Sequence, residues 1–338
     1  MPKQAASARA RSARPSSPSK KISSSSVSVF APASVANFGV GYDVLGAALD
    51  GPGDVVRARL TDEPGVRLVG VTGDGGRLPR SARRNTAAVA AAAVLEAAGE
   101  RRRGIDLWLE KGLPLSSGMG SSAASAAAGA LAAGLLLGVK GREALFLPAL
   151  LGEHVADGAW HGDNVFASLL GGLVLVPSSR PDGPISPVRL RAPSRLRVVL
   201  VHPLSVELPT RRARGVVPRS VPMSSHTAHA AALANLVAGL AAGDLARAGR
   251  ALLADRLVDP ARLPLVPGAR AVLDAMLRAG ADGVCLAGAG PALLALAAEG
   301  EGAARIARAG AAAWRRAGIA ARASVHRLDT RGARRILP

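Results

Sequence analysis

The chain has few aromatic residues and almost no cysteine. Among 338 residues there are four phenylalanines, three tryptophans and one tyrosine, and Cys285 is the single thiol. One cysteine excludes an intramolecular disulfide and fits a reducing compartment. So few rings argue against a stacking platform for single-stranded nucleic acid. That matters because the net charge is +19, and a basic balance otherwise points to polyanions. Acid is absent from the first 21 residues, where Lys3, Arg9, Arg11, Arg14, Lys20 and Lys21 supply six of those charges. Residues 1–26 also lack an apolar segment, which rules out the core of a secretory signal and leaves a disordered tail or a targeting extension outside the fold. Charge of either sign is missing between Lys111 and Lys140, a run long enough to span a bilayer. The run opens on Pro114 and serines, its apolar part is mostly alanine and glycine, and no aromatic belt flanks it. It reads as a buried helix, with neither a membrane nor a specific nucleic acid as partner.

What the chain does have is small-residue loops. Gly112-Leu-Pro-Leu-Ser-Ser-Gly-Met-Gly-Ser-Ser-Ala-Ala-Ser125 places three glycines and five serines before an alanine-rich helix over Ala126–Leu137. Glycine lets a backbone approach a ligand, and the following helix offers unpaired N–H groups and its positive dipole end to an anion. Ser121 and Ser122 add hydroxyls that can reach phosphate or Mg²⁺. No Gly-Lys-Ser/Thr closes the segment and no spaced GxGxxG is present, so the residues alone leave an anion site or an ordinary turn.

Order begins near Val27 with an alternating strand, followed by a loop from Ala31 to Asp43. Val44–Ala48 and Asp54–Leu60 read as two strands joined by a Gly51-Pro52-Gly53 turn, with a third strand over Val66–Val71. Asn85-Thr86 caps a helix to about Ala98, Gly104–Glu110 is a strand, and a further helix covers about Glu143–Gly158. A Pro/Arg-rich bridge from Pro177 to Arg195 divides the chain at about 190. Beyond it come a strand over Leu196–His202 and helices at about Ser225–Ala242, Asp244–Ala254 and Ala269–Ala279. A strand and glycine turn over Gly283–Leu296, a helix near Ala303–Ala317 and a strand near Ala320–Arg327 complete the order. Strands and helices mix without strict alternation, which predicts an α+β fold.

Three further constellations carry polar chemistry. In Asn37-Phe-Gly-Val-Gly-Tyr-Asp43 two glycines let Asn37 and Asp43 face one space, although Asn and Asp are also ordinary turn formers. In Glu153-His-Val-Ala-Asp-Gly-Ala-Trp-His-Gly-Asp-Asn164, a continuous helix would put Glu153 and Asn164 within about 20° of each other, with Asp157 and His161 in the same sector. Such a face suits a hard cation better than zinc, and it equally describes a solvated helix end. Arg214 and Arg262 sit beside prolines and have the fork that grips a carboxylate, in a chain where most arginines are surface charge. Gly288-Ala-Gly-Pro291 is a second glycine turn that could close over the first, and Cys285 reads as an inert buried thiol.

Together and in this order, these segments resemble the GHMP kinases. The resemblance is carried by Pro32-Ala-Ser-Val-Ala-Asn-Phe-Gly39, Pro114-Leu-Ser-Ser-Gly-Met-Gly-Ser-Ser-Ala-Ala124 and Gly288-Ala-Gly-Pro291. Asn37-Phe-Gly-Val-Gly-Tyr-Asp43, His161-Gly-Asp-Asn164, Ala213-Arg-Gly-Val-Val-Pro218 and Arg262-Leu-Pro-Leu-Val-Pro-Gly268 resemble the homoserine kinase branch. The resemblance covers about residues 27–330. It implies a two-domain fold, with an ATP-binding domain over 27–190, a second domain over 191–338 and the active site in the cleft between them. It further implies that Pro114, Leu115, Ser116, Ser117, Gly118, Met119, Gly120, Ser121, Ser122, Ala123 and Ala124 wrap the ATP phosphates, with Asn85 near the adenine. Ser122 and Glu153 would hold Mg²⁺. Asn37, Asp43, His161, Arg214 and Arg262 would bind L-homoserine, and Asn164, Thr210 and Arg214 would serve the transfer. The expected setting is the cytoplasm, or a plastid if residues 1–26 are a transit segment, and a homodimer is compatible with the reading. Met119 replaces a common Leu, Tyr42 a common Phe, and Ala292-Leu293 follow Gly-Pro where a hydroxyl is frequent; none removes a charge.

Overall fold

The computed structural model describes residues 26–178 and 182–337. The tail read over 1–26 therefore falls, apart from Ser26, outside the described residues, as does part of the Pro/Arg-rich bridge. The elements in order are β1 (Ser26–Asn37), β2 (Gly41–Thr61), β3 (Gly65–Thr72), α1 (Thr86–Ala97), β4 (Gly104–Glu110), α2 (Ser121–Leu137), α3 (Phe146–Asp157), α4 (Gly162–Leu170), β5 (Leu173–Leu175) and β6 (Val188–Leu190). There follow β7 (Leu196–Pro203), α5 (Thr210–Gly215), α6 (Met223–Ala242), α7 (Leu245–Leu252), α8 (Asp259–Arg262), α9 (Ala269–Arg278), β8 (Gly283–Leu286), β9 (Leu293–Ala298), α10 (Glu301–Arg316), β10 (Ala321–His326) and β11 (Arg334–Ile336). The mixed α+β architecture agrees with the sequence reading.

Two sheets organise these elements. The first runs β11-β1-β2-β4-β3, with β5 and β6 added beside β2, and only β3–β4 is parallel. The second is antiparallel in the order β10-β7-β9-β8. Period-two alternation along β7 sends Val198 and Leu200 into a core shared with α6 and α7, and Val199 and Val201 into a separate core with α9 and α10. The division near residue 190 is crossed once more. β11 leaves the second half and pairs antiparallel with β1, Ser28 opposite Ile336.

The charge-free run is α2, buried against α1, α3, α4 and the first sheet. Its alanines and glycines allow close helix approach; a side chain at Gly129 would stand 2.2 Å from the carbonyl oxygen of Ala87 on α1. Among the described residues no helix is long and apolar enough to cross a membrane.

Three local expectations are corrected. Gly51-Pro52-Gly53 is not a turn, because β2 continues through it with a register shift opposite Pro32 and Ser34. A bulge absorbs the proline that cannot donate to the ladder, and Gly53 admits a crossing only 2.3 Å from Ala31 O at its missing Cβ position. The loop from Ala31 to Asp43 shrinks to Phe38–Val40, since β1 extends to Asn37. Glu153 and Asn164 do not share a helix. Gly158 closes α3 in a left-handed conformation and α4 starts afresh at Gly162.

Candidate active site

The phosphate-loop candidate enters from β4 and ends at the N-terminus of α2. Gly120 is the N-cap, in a left-handed conformation with no side chain to cap the helix. Ala124 N–H donates to Gly120 O, so the preceding turn presents N–H groups outward with the helix dipole behind them. Glycine is required at two points. At Gly118 (φ +80°) a Cβ would stand 2.3 Å from Ala287 O, and at Gly120 (φ +61°) 2.0 Å from Ser34 Oγ. These approaches sew three distant segments together: Ser34 N–H donates to Met119 O, Gly288 N–H to Ala36 O, and Asn37 Nδ2 to Gly288 O.

The segments enclose a cavity of about 460 Å³. Leu115, Ser116, Ser117, Gly118, Gly120, Ser121 and Ser122 line it. Pro114 is off its wall and exposed, while Met119, Ala123 and Ala124 face the core. Helical periodicity turns the side chains of Ala123 and Ala124 into the core. Asn85 also lines it, but its Oδ1 accepts from Ala87 and Ala88 N–H as the cap of α1, leaving only the amide nitrogen for a ligand.

Glu153 of α3 points at the start of α2. Ser122 Oγ donates to Glu153 Oε1 at 2.8 Å, while Oε2 is buried without a protein partner. Burial lifts the carboxyl pKa to about 7, against the pull of His161 and Ser122. A half-satisfied buried carboxylate beside a hydroxyl fits a hard divalent cation such as Mg²⁺. Among the described residues no group of three or more His, Cys, Asp or Glu is arranged to hold a metal unaided. Such an ion would take its other oxygens from a bound phosphate and water.

Asn37, Asp43, His161, Asn164, Thr210, Arg214 and Arg262 line the same cavity. Asn37, Phe38, Asp43 and Ser116 are the non-glycine residues with positive φ among those described; the first three lie in the β1–β2 turn or on the strand ends beside it, and Ser116 in the phosphate-loop candidate. Strain concentrated in this way marks a functional site. Arg214 on α5 grips Asp43 with both nitrogens, at 3.0 and 2.6 Å. Burial opposes the Arg214 charge, but the bonded carboxylate holds it firmly protonated. Arg262 ends α8, with Pro260 in the first turn of that helix and Pro264 just after it. It is 1% exposed, and donates to Ala213 O at 3.0 Å and Gly288 O at 3.3 Å. Tyr42 lies against both guanidinium groups, 5.4 and 4.9 Å from its ring centre.

His161 Nε2 meets Asp157 Oδ2 at 3.1 Å. Burial works against its charge, yet Asp157, Glu153 and Asp163 outweigh it and raise the pKa to about 9, so the ring is cationic at neutral pH. Asn164 Oδ1 accepts from Ser34 Oγ at 3.0 Å. The sequence reading missed Asp163, which is buried on the cavity wall and accepts from Asn164 N–H at 2.8 Å. Burial and Asp43 raise its pKa. Its place in the His161–Asn164 motif was the available signal.

Known proteins resemble this chain over most of its length. The family models for the GHMP kinases N terminal domain and the GHMP kinases C terminal fit residues 85–172 and 236–316. The chain is 44% identical over 251 residues to a homoserine kinase of Xanthomonas campestris pv. campestris, covering 73% of this chain and 74% of that one. The chain belongs to the GHMP kinases. This GHMP kinase is also 41% identical over 258 residues to the Arabidopsis thaliana homoserine kinase, covering 75% and 68% of the two chains. Over 96% of its length and 100% of the other, it superposes on the crystal structure of homoserine kinase from Cytophaga hutchinsonii with a TM-score of 0.87 and 40% identity. The L. major mevalonate kinase structure, at 20% identity and a TM-score of 0.65, shares the fold across 83% of this chain and 90% of that one.

Proposed function

We propose that this GHMP kinase transfers the γ-phosphoryl group of ATP to the hydroxyl of L-homoserine, giving O-phospho-L-homoserine on the route to threonine. The observation that carries the reading is the Asp43–Arg214 pair, with Arg262 beside it, in the same cavity as the phosphate loop. An α-amino acid brings an ammonium and a carboxylate. Entering there, it exchanges one internal ion pair for two: its ammonium goes to Asp43 and Asn37, its carboxylate to Arg214 and Arg262. The desolvated ends are re-paired charge for charge, which rejects alcohols that lack either group. The names of the relatives point the same way.

The outward N–H groups of Ser116–Ser122 hold the phosphates, and Asn85 offers its amide nitrogen to the base. Residues 27–190 serve as the nucleotide-binding domain, and residues 191–338 add Thr210, Arg214 and Arg262. Ser122 and Glu153 would hold Mg²⁺, which supplies neutralisation of phosphate charge. Asn164 orients the acceptor hydroxyl, fixed in place by Ser34; Thr210 lies towards the phosphates, and cationic His161 adds positive potential. Phosphoryl transfer depends mainly on positioning and charge neutralisation, so no dedicated base is needed and the hydroxyl proton passes to the phosphate.

The test is ADP release with ATP and Mg²⁺ on a panel of homoserine, mevalonate, a sugar and a methylerythritol intermediate. Turnover of homoserine alone supports the proposal, and preference for mevalonate overturns it. The enzyme acts in the cytoplasm, or in a plastid should an import assay find residues 1–26 removed. Light scattering tests for a homodimer.

A further inference from the structure

The phosphate loop has no lysine within it, yet a lysine stands directly behind it. Lys111 follows β4 just before the loop, with its side chain 1% exposed, and forms an ion pair with Asp54 of β2, itself fully buried. An ammonium has three N–H donors. Lys111 directs all three inward, to Asp54 Oδ2, to Ser121 O at 2.7 Å and to Ser125 Oγ at 2.9 Å. Ser125 Oγ donates in turn to Asp54 Oδ2 at 2.7 Å, and the other oxygen, Oδ1, accepts from Gly112 N–H at 3.1 Å. One ion pair therefore ties down both ends of the loop: Asp54 fixes its entry at Gly112, and Lys111 fixes its exit at the first residue of α2.

Two physical points separate this from a phosphate-binding lysine. The donors of Lys111 are spent, so reaching a phosphate would cost an existing bond. The pair is also neutral as a unit, so it adds geometry to the anion site and little net charge. Buried ion pairs are poor stabilisers compared with apolar replacements, and their best-attested use is to specify one arrangement. Here the arrangement is the spacing between the loop's first residue and the exposed N–H groups of α2.

We infer that Lys111 and Asp54 are positioning residues for the nucleotide, clasping the base of the phosphate loop. The inference rests on the nucleotide half of the proposed function and is independent of the acceptor. Its test is calorimetric ADP affinity and steady-state KM for ATP and homoserine in the neutral double variant Lys111→Met/Asp54→Asn, with thermal melting alongside. The double variant leaves no orphaned charge; the new amide keeps its oxygen as acceptor for Gly112 N–H and can donate its nitrogen to Ser125 Oγ. A purely structural pair would allow it to melt near the wild type with unchanged ADP affinity, which would overturn the inference. The expected result is near-native melting with ADP Kd and ATP KM raised between about ten- and a hundredfold, as for sub-ångström misplacement of a binding frame. Homoserine KM stays within about twofold; equal movement of both KM values also refutes the idea. Should the double variant not fold, Ser125→Ala decides, with an about threefold weaker ADP Kd expected from one lost link and an unchanged Kd refuting it. If the wild type prefers another alcohol while the ADP result holds, the acceptor assignment fails and the clasp stands.

Discussion

Replacing Glu153 by glutamine (Glu153→Gln) should stabilise the nucleotide-free protein at alkaline pH while impairing catalysis. Burial raises this carboxyl from 4.5 to about 7, with His161 and Ser122 pulling the other way. The folded state therefore holds the proton more tightly than the unfolded chain. Below about pH 4.5 both states are protonated and there is no penalty. Between 4.5 and 7 stability is progressively lost as pH rises, and above 7 the loss is complete. The shift corresponds to on the order of 3 kcal/mol. Glutamine mimics the protonated acid, so the variant should match the wild type near pH 4.5 and exceed it at pH 8. For a chain of this length that difference is about 4 °C in melting temperature. Melting followed by circular dichroism at the two pH values, without nucleotide or Mg²⁺, gives the measurement. With ATP and Mg²⁺ added the order should invert, since only the carboxylate can ligate the cation, and kcat should fall with a weakened Mg²⁺ dependence. An equal gain at both pH values, or a loss at pH 8 without Mg²⁺, would refute the reasoning. An unchanged Mg²⁺ titration would remove Glu153 from the metal site.

Other substitutions separate the proposed acceptor contacts from the nucleotide contacts. Asp43→Asn should raise homoserine KM by about a hundredfold or more, because it removes a charged partner, and leave ATP KM unchanged; abolished turnover with intact homoserine affinity would contradict the ammonium role. Arg262→Ala should raise homoserine KM well above any change in ATP KM and also lower the melting temperature, since it takes the guanidinium donor from Ala213 O and leaves Gly288 O with Asn37 alone of its two side-chain donors. Gly118→Ala should weaken ADP affinity more than homoserine affinity, because its methyl would force the loop off Ala287 O. In wild-type enzyme the Mg²⁺ concentration giving half-maximal rate should rise as pH falls below about 7, as Glu153 takes up its proton.

The parts legible in the sequence are those whose cause is local. Gly118 and Gly120 are glycines because their own backbone demands it, and Asn85 announces α1 because a cap acts on its neighbours. His161 through Asn164 could be grouped because they adjoin in the chain. What escaped is set by partners far away. The continuity of β2 through Pro52 depends on a bulge against β1, and the pairing of β11 with β1 spans nearly the whole chain. Asp54 and Lys111 are separated by 57 positions and read separately as a strand acid and a flanking charge. The Asp43–Arg214 bond across 171 positions was likewise invisible; both members were grouped as ligands of one substrate and not paired with each other.

The return of β11 has a consequence for how the molecule could be cut. The strand that opens the described chain and the strand that closes it are hydrogen-bonded neighbours, Phe30 opposite Arg334. Antiparallel pairing keeps such backbones about 5 Å apart. The two ends could be joined by a short linker and new ends opened in the exposed stretch around Asp182–Pro184, giving a circular permutant with the same sheets. Severing the chain there without that linker would leave the halves held only by non-covalent contacts, β11 on β1, Arg214 on Asp43 and Gly288 N–H on Ala36 O among them.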